Sequence, residues 1–264
     1  MANQVLAKII ANQQLNSQDY RLIVSAPQIT EQAQPGQFLH LQCGDGLTPL
    51  LRRPFGIHSY DRDRGELAVL YRVVGKGTEQ LLKRRPGQEI DMLGPLGNGF
   101  DLTNPAAKVV LVAGGIGIAP LLPLAEELIE LDKEVLLLLG AANELELLCL
   151  AEIERLPLQL KVATIDGSLG YQGYVTEMLA ELLTDNYGQV FACGPEAMLA
   201  AVQEITLKAG VEAQLSLEKR MGCGTGACLS CVCKVKVQQE SGFEYQRVCS
   251  EGPVFKADEV IFDE

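Results

Sequence analysis

The chain is short of positive charge. Lysine and arginine together number 22 against 34 aspartate and glutamate, a formal net charge of −12 with a pI near 4.7. A protein that grips a nucleic-acid backbone needs a basic stripe to displace counterions, so that class is excluded. An acidic surface otherwise serves solubility. Long apolar runs are missing as well. The longest, 109–125, is broken by Gly114, Gly115, Gly117, Pro120 and Pro123 and stops at Glu126, whereas a bilayer-spanning helix needs roughly 20 apolar residues. No membrane segment is expected. The start, MANQVLAKII, has no basic region followed by a long apolar run, so no secretory leader is expected and the thiols should stay reduced in a cytoplasm. Histidine is scarce too: His40 and His58 are the only two, and no general acid–base dyad is expected from them. His58, near a strand end, is expected to be satisfied locally.

What the chain does have is cysteine, unevenly placed. Five of its eight cysteines lie between Cys223 and Cys249. An even scatter would suggest buried small apolar side chains, and a cluster suggests a metal. Cys223-x4-Cys228-x2-Cys231, with Cys249 after a gap of 17 residues, has the ligand spacing of plant-type [2Fe–2S] proteins. Gly222, Gly224, Gly226 and Ala227 let the backbone wrap closely and aim N–H groups at sulfur, which stabilises the reduced cluster. Cys233 falls outside the spacing and is expected to be structural. Two competing uses are a zinc site, for which only one C-x2-C pair is present, and a disulfide.

At 264 residues the chain has room for one large domain or two to three small ones. Residues 1–100 read as β: VLAKII, YRLIVSA, GQFLHLQC, GELAVLYRVV and QEIDMLG alternate and are separated by Pro35-Gly36, Asp45-Gly46, Arg64-Gly65 and Pro86-Gly87, the pattern of a small antiparallel barrel. Residues 101–214 alternate buried strands with helices. Strands are expected over 108–113, 134–140, 160–165 and 189–192, and helices over 120–131, 144–156, 174–183 and 196–209. This is a Rossmann-like parallel α/β domain. Residues 215–264 hold the cysteines and short strands near 232–237 and 244–248. The fold class is therefore α/β plus all-β, in three domains.

Two strand-to-helix turns in the middle domain suit a dinucleotide. Gly114-Gly115-Ile116-Gly117 follows the first strand, with Pro120 where a third glycine would stand. Glycines there let main chain approach a pyrophosphate at a helix N-terminus. A tight strand–helix turn with no ligand would use the same residues. Cys193-Gly194-Pro195 follows the last of these strands and would place a small soft side chain near a nicotinamide. Read alone, Cys193 is more often a buried core thiol.

These three signals, in this order, resemble the ferredoxin reductase superfamily, and within it the electron transfer subunits of B-type dihydroorotate dehydrogenases. LEKRMGCGTGACLSCVCK, with VCSEGPVF, is the most specific match, and the likeness spans essentially the whole chain. The resemblance implies an FAD-binding barrel, a nucleotide domain and a [2Fe–2S] domain with Cys223, Cys228, Cys231 and Cys249 as ligands. It places the flavin at Arg53-Pro54-Phe55-Gly56, Leu70-Tyr71-Arg72 and Gly77-Thr78. Arg53 would pair with the diphosphate and Phe55 would pack near the flavin. Gly56 stands where the family usually has serine or threonine. Without the resemblance, Arg52 and Arg53 read as surface charge and Tyr71 as core. The implied activity is electron transfer from the FMN of a dihydroorotate dehydrogenase catalytic subunit, through the cluster and FAD, to NAD+ in pyrimidine biosynthesis. The implied assembly is a heterotetramer of two plus two subunits. Reductase subunits acting on ferredoxin, sulfur compounds or hydrogenases share the same modules. No arginine lies between Arg85 and Arg155, which favours NAD over NADP.

Overall fold

The structure is a computed structural model that describes residues 2–44, 46, 48–183, 187–237 and 242–262. The first part is a closed antiparallel barrel of β1 (Asn3–Gln14), β2 (Asp19–Ser25), β3 (Phe38–Leu41), β4 (Arg53–Asp61), β5 (Glu66–Arg72) and β6 (Glu89–Leu96), in the order β1-β2-β5-β4-β3-β6. Two short helices cover it, α1 (Pro27–Thr30) and α2 (Lys76–Leu82). Period-two burial builds the barrel: on β1, Ala7 and Ile9 turn inward while Leu6 and Lys8 face out.

The strand β4 is the element that alternation did not signal. It carries Pro54 and Gly56, neither of which marks a strand. The barrel therefore has one strand more than the five alternating runs.

The second part is built on β7 (Lys108–Gly114), α3 (Ile118–Glu130), β8 (Glu134–Ala141), α4 (Leu150–Ile153), β9 (Gln159–Thr164), β10 (Tyr171–Gln172), α5 (Val175–Leu182), β11 (Gln189–Cys193), α6 (Glu196–Ala209) and β12 (Glu212–Ser216). These strands run parallel in the order β10-β9-β8-β7-β11-β12. Both faces are buried at the central strands β7, β8 and β11, which are apolar beyond their first residue, whereas the outer β9 alternates. Val109, Leu111 and Ala113 enter the core that holds α3, while Val110 and Val112 enter a second core that reaches Cys231 and Cys249.

The expected helix over 144–156 is not continuous. It is a single 3-10 turn (Glu144–Glu146) followed by the short α4, because Cys149 adopts φ 62°, a left-handed conformation that a helix does not contain.

The third part forms a small antiparallel sheet, with β13 (Val232–Lys236) between β14 (Phe243–Arg247) and β16 (Val260–Ile261). Between them β15 (Val254–Lys256) pairs antiparallel with β12 and so extends the parallel sheet. The cysteine-bearing segment is thus tied to the nucleotide sheet by main-chain hydrogen bonds. Asn98, just after the barrel, donates through its amide to the carbonyls of Ser250 (3.2 Å) and Glu251 (2.9 Å) and fastens it to the first part as well. Among the described residues no helix is long and apolar enough to cross a membrane.

Candidate functional site

The sulfur loop is held by glycines in conformations other residues avoid: Gly224 has φ +72° and Gly226 φ +82°. These turns direct main-chain N–H groups at sulfur. Thr225 N and Ala227 N approach Cys223 Sγ at 3.4 and 3.3 Å, Cys223 N approaches Cys228 Sγ at 3.4 Å, and Gly226 N donates to Cys249 Sγ at 3.1 Å. Cys228 lies against Cys223, and Cys231 against Cys249, which also senses Cys223. All eight cysteines are free thiols. Among the described residues no three His, Cys, Asp or Glu side chains surround the position of one metal ion.

Four cysteines on one short loop and its neighbouring limb, with main-chain N–H groups aimed at their sulfurs, fit a two-iron cluster, whose added negative charge such N–H groups would stabilise. Burial raises the Cys223 thiol, but the Thr225 main chain and the neighbouring Cys228 outweigh it and bring the pKa down to about 6. Cys228 is lowered chiefly by the Ser230 hydroxyl, 3.2 Å away. Cys249, buried and next to Cys231, is pushed up to about 11. Two thiols are thus poised to lose protons, and Cys249 needs a metal's charge to do so.

Cys249 is fixed by a clamp: Arg247 binds the Glu251 carboxylate and also donates to the Gly226 carbonyl at 3.0 Å, joining the two limbs of the sulfur loop. Cys233 is buried in the core beside Val235, and burial raises its thiol to about 11.

The flavin-side residues divide into two groups. Arg53, on β4, lays its side chain over Gly77 of α2, so closely that a Cβ there would meet Arg53 Cγ at 3.1 Å. Among the described residues its guanidinium donates to the carbonyls of Leu51 (2.9 Å) and Arg52 (3.1 Å) alone, and such a fork suits an anion. Thr78 caps α2, accepting from Val74 N at 3.0 Å and donating to the Gly75 carbonyl. Leu70 and Tyr71 are core: Tyr71 is stacked on Tyr20, meets Phe55 edge-on and donates to Asn12 Oδ1 at 2.9 Å. Arg72 spends its fork on the fully buried Asp19, with two contacts of 2.8 Å, and reaches Glu146 at 3.5 Å. It still borders the nucleotide cavity.

Gly114, Gly115, Gly117, Gly194 and Pro195 line one cavity of about 520 Å³. They meet because β7 and β11 are adjacent, with Ala113 opposite Cys193. The helix after β7 and the strand order on its other side diverge there, which makes this the switch point where open α/β sheets bind ligands. A second cavity of about 160 Å³ holds Pro54, Gly56, Pro120, Cys193 and Ser216, and so joins β4 to the turns after β7 and β11. Cys193 is fully buried there, and burial followed by the nearby Glu218 raises its thiol to about 12. Ser216, Glu218 and Lys219 border these cavities and were not anticipated. They lie on the run from β12 into the cysteine loop, where no periodicity marks them.

A side chain fits at Gly56. A Cβ there would meet nothing nearer than Pro120 Cδ at 3.9 Å. The Gly56→Ser variant is therefore expected to shift unfolding stability by no more than about 0.5 kcal/mol, measured by urea denaturation.

Residues 218–261 match the iron–sulfur cluster binding domain of dihydroorotate dehydrogenase B, and residues 111–204 match the oxidoreductase NAD-binding domain. The chain is 42% identical over 258 residues to the dihydroorotate dehydrogenase B (NAD(+)) electron transfer subunit of Desulforamulus reducens, covering 97% of this chain and 98% of the relative. It is 38% identical to the protein of the same name from Bacillus cereus, over 96% of this chain and 97% of that one. Among solved structures, an NADH-dependent reduced ferredoxin-NADP oxidoreductase superposes with a TM-score of 0.86 at 30% identity, over 99% of this chain and 91% of that chain. A ferredoxin NADP+ reductase from Neisseria gonorrhoeae with bound FAD and NADP shares the fold, with a TM-score of 0.67 at 20% identity over 78% and 92% of the two chains.

Proposed function

The chain belongs to the family of dihydroorotate dehydrogenase B (NAD(+)) electron transfer subunits, and on that premise we propose that it passes electrons from a dihydroorotate-oxidising partner to NAD+. The observation that carries this reading is the convergence of three sites on one edge of the barrel. Gly224 of the sulfur loop packs on β3, Gly56 of β4 faces Pro120 and Cys193 across one cavity, and Arg53 with Gly77 lies along the same strand.

FAD exchanges a hydride with nicotinamide and single electrons with an iron–sulfur cluster, which neither of the others does alone. The chain's own residues bind and orient. Cys223, Cys228, Cys231 and Cys249 are the cluster ligands, and the N–H groups of Thr225, Gly226 and Ala227 stabilise charge on their sulfurs. Arg53 offers its guanidinium to the FAD diphosphate, and Gly77 lets that group come close to the main chain. Pro54, Phe55 and Gly56 border the flavin ring. Gly114, Gly115 and Gly117 present main chain to the NAD+ pyrophosphate, while Cys193, Gly194 and Pro195 close the nicotinamide end. Leu70 and Tyr71 hold β5 beneath this surface from inside the core, and Arg72 borders the nucleotide. The absence of arginine between Arg85 and Arg155 leaves no fork for a 2′-phosphate in that stretch and favours NAD+ over NADP+.

The partner in this scheme is an FMN-containing catalytic subunit, assembled two plus two with this chain in the cytoplasm to serve pyrimidine biosynthesis. Co-expression with such a subunit is expected to give a complex that reduces NAD+ in a dihydroorotate-dependent way, with neither subunit active alone. A fully loaded complex that ignores dihydroorotate would sink the proposal. The 30%-identical ferredoxin-NADP oxidoreductase names the second reading: NADH-driven reduction of a ferredoxin, without any response to dihydroorotate, would favour it.

A further inference from the structure

β3 reads Phe-Leu-His-Leu, and all four residues are buried. Strand alternation separates them: Leu39 and Leu41 fill the barrel, while Phe38 enters the core shared with the cysteine segment. His40 points the same way as Phe38 and meets the sulfur loop. Gly224 approaches so closely that a Cβ there would lie 2.6 Å from His40 Nδ1. On the strand's other side His40 is paired with Pro54, within the flavin stretch. The imidazole therefore stands between the two candidate cofactor sites.

Its surroundings are incomplete. His40 is 1% exposed, yet neither ring nitrogen has a hydrogen-bond partner; apart from Arg21 Nε these are the unpartnered buried side-chain polar atoms among the described residues. An orphaned buried polar atom carries a desolvation penalty and calls for an explanation such as an absent ligand. The main chain at Cys223 and at Arg52 lies beside the ring. A neutral imidazole has one donor and one acceptor nitrogen.

We propose that His40 is a positioning residue linking the flavin strand to the cluster: with the cluster in place it donates one hydrogen bond to the Cys223 carbonyl and holds the 223–227 loop against the barrel. Its effect runs through the loop. Fixing that carbonyl fixes the register of the Thr225, Gly226 and Ala227 N–H groups on sulfur, the contacts that stabilise the reduced cluster. The inference rests on the reading that this loop carries a [2Fe–2S] cluster.

The test uses the purified holo-complex and His40→Phe, which keeps a ring and removes the donor, with His40→Gln restoring an N–H. Iron, sulfide and FAD are measured first. Wild-type protein without iron and sulfide overturns the cluster reading itself, and this inference with it. With the cluster present, His40→Phe is expected to shift the cluster's redox equilibrium about tenfold toward the oxidised form, which is 59 mV for a one-electron couple. The electron paramagnetic resonance spectrum of the reduced cluster should change and the FAD potential should not. His40→Gln should recover most of the shift. Gly224→Ala, which drives the loop off the ring, should move the potential in the same direction as His40→Phe. Loss of the cluster in His40→Phe but not in His40→Gln also supports the role. A wild-type spectrum and potential in a fully loaded His40→Phe complex, or equal effects of Phe and Gln, would overturn the assignment and leave the cluster reading intact.

Discussion

Cys228→Ser is expected to leave a folded protein that keeps its FAD and loses its iron and sulfide. Cys228 is exposed, so the substitution removes no core packing and creates no buried orphan. What it removes is a sulfur already turned toward ionisation by Ser230 and by the Cys223 N–H. A serine hydroxyl is a harder donor and ionises far less readily, so that iron loses one of its two protein ligands. Outer-sphere partners of metal ligands are worth 10–100-fold in activity, and loss of a ligand should exceed that: dihydroorotate-dependent NAD+ reduction should fall by on the order of 100-fold or more. Direct reduction of a dye by NADH, which bypasses the cluster, should be spared. Cys233→Ala is the control. That thiol is buried beside Val235 and lifted to about 11 by its surroundings, so the variant should keep full cluster occupancy. Iron and sulfide analysis decides both; full occupancy in Cys228→Ser would remove that residue from the ligand set.

The sequence disclosed this site unevenly, for physical reasons. Ligand spacing is a local property, and Cys223, Cys228 and Cys231 announce themselves because the loop between them must be short and small. The buried parallel strands were equally visible, since both faces of β7, β8 and β11 are covered and every residue must be apolar. β4 was not legible as a strand, because Pro54 and Gly56 erase the alternation. Cys149 broke a helix that the apolar pattern continued through, by adopting φ 62°, which composition does not reveal. His40 was hidden for a different reason. Its significance depends on Gly224, 184 positions away in the chain (40 against 224), and only the packing of barrel against loop brings the two together. The return of β15 to pair with β12 is hidden in the same way, since three residues of edge strand carry no pattern of their own.

The second large effect is expected at Gly117. A Cβ on this residue would lie 2.5 Å from the carbonyl carbon of Cys193 and 2.8 Å from Gly194 N. Both are main-chain atoms, so no rotamer relieves the clash; the turns after β7 and β11 must move apart. Forcing extra volume into packed structure costs about 1–3 kcal/mol, and an unyielding backbone partner places Gly117→Ala at the upper end. The functional loss should be larger than the stability loss, because those two turns form the floor of the 520 Å³ cavity. A displacement of about 1 Å at a positioned ligand can lower the rate about 100-fold, so NADH-dependent dye reduction should fall by roughly that factor while FAD content is unchanged. Gly115→Ala separates the two possible causes. Gly115 has φ +54° but open space where its Cβ would go, so alanine there meets only conformational strain, of about 1 kcal/mol. Gly115→Ala should therefore retain far more activity than Gly117→Ala. Wild-type NADH affinity and turnover in Gly117→Ala would show that the turns can separate without disturbing the nucleotide, and that this contact does not set the site.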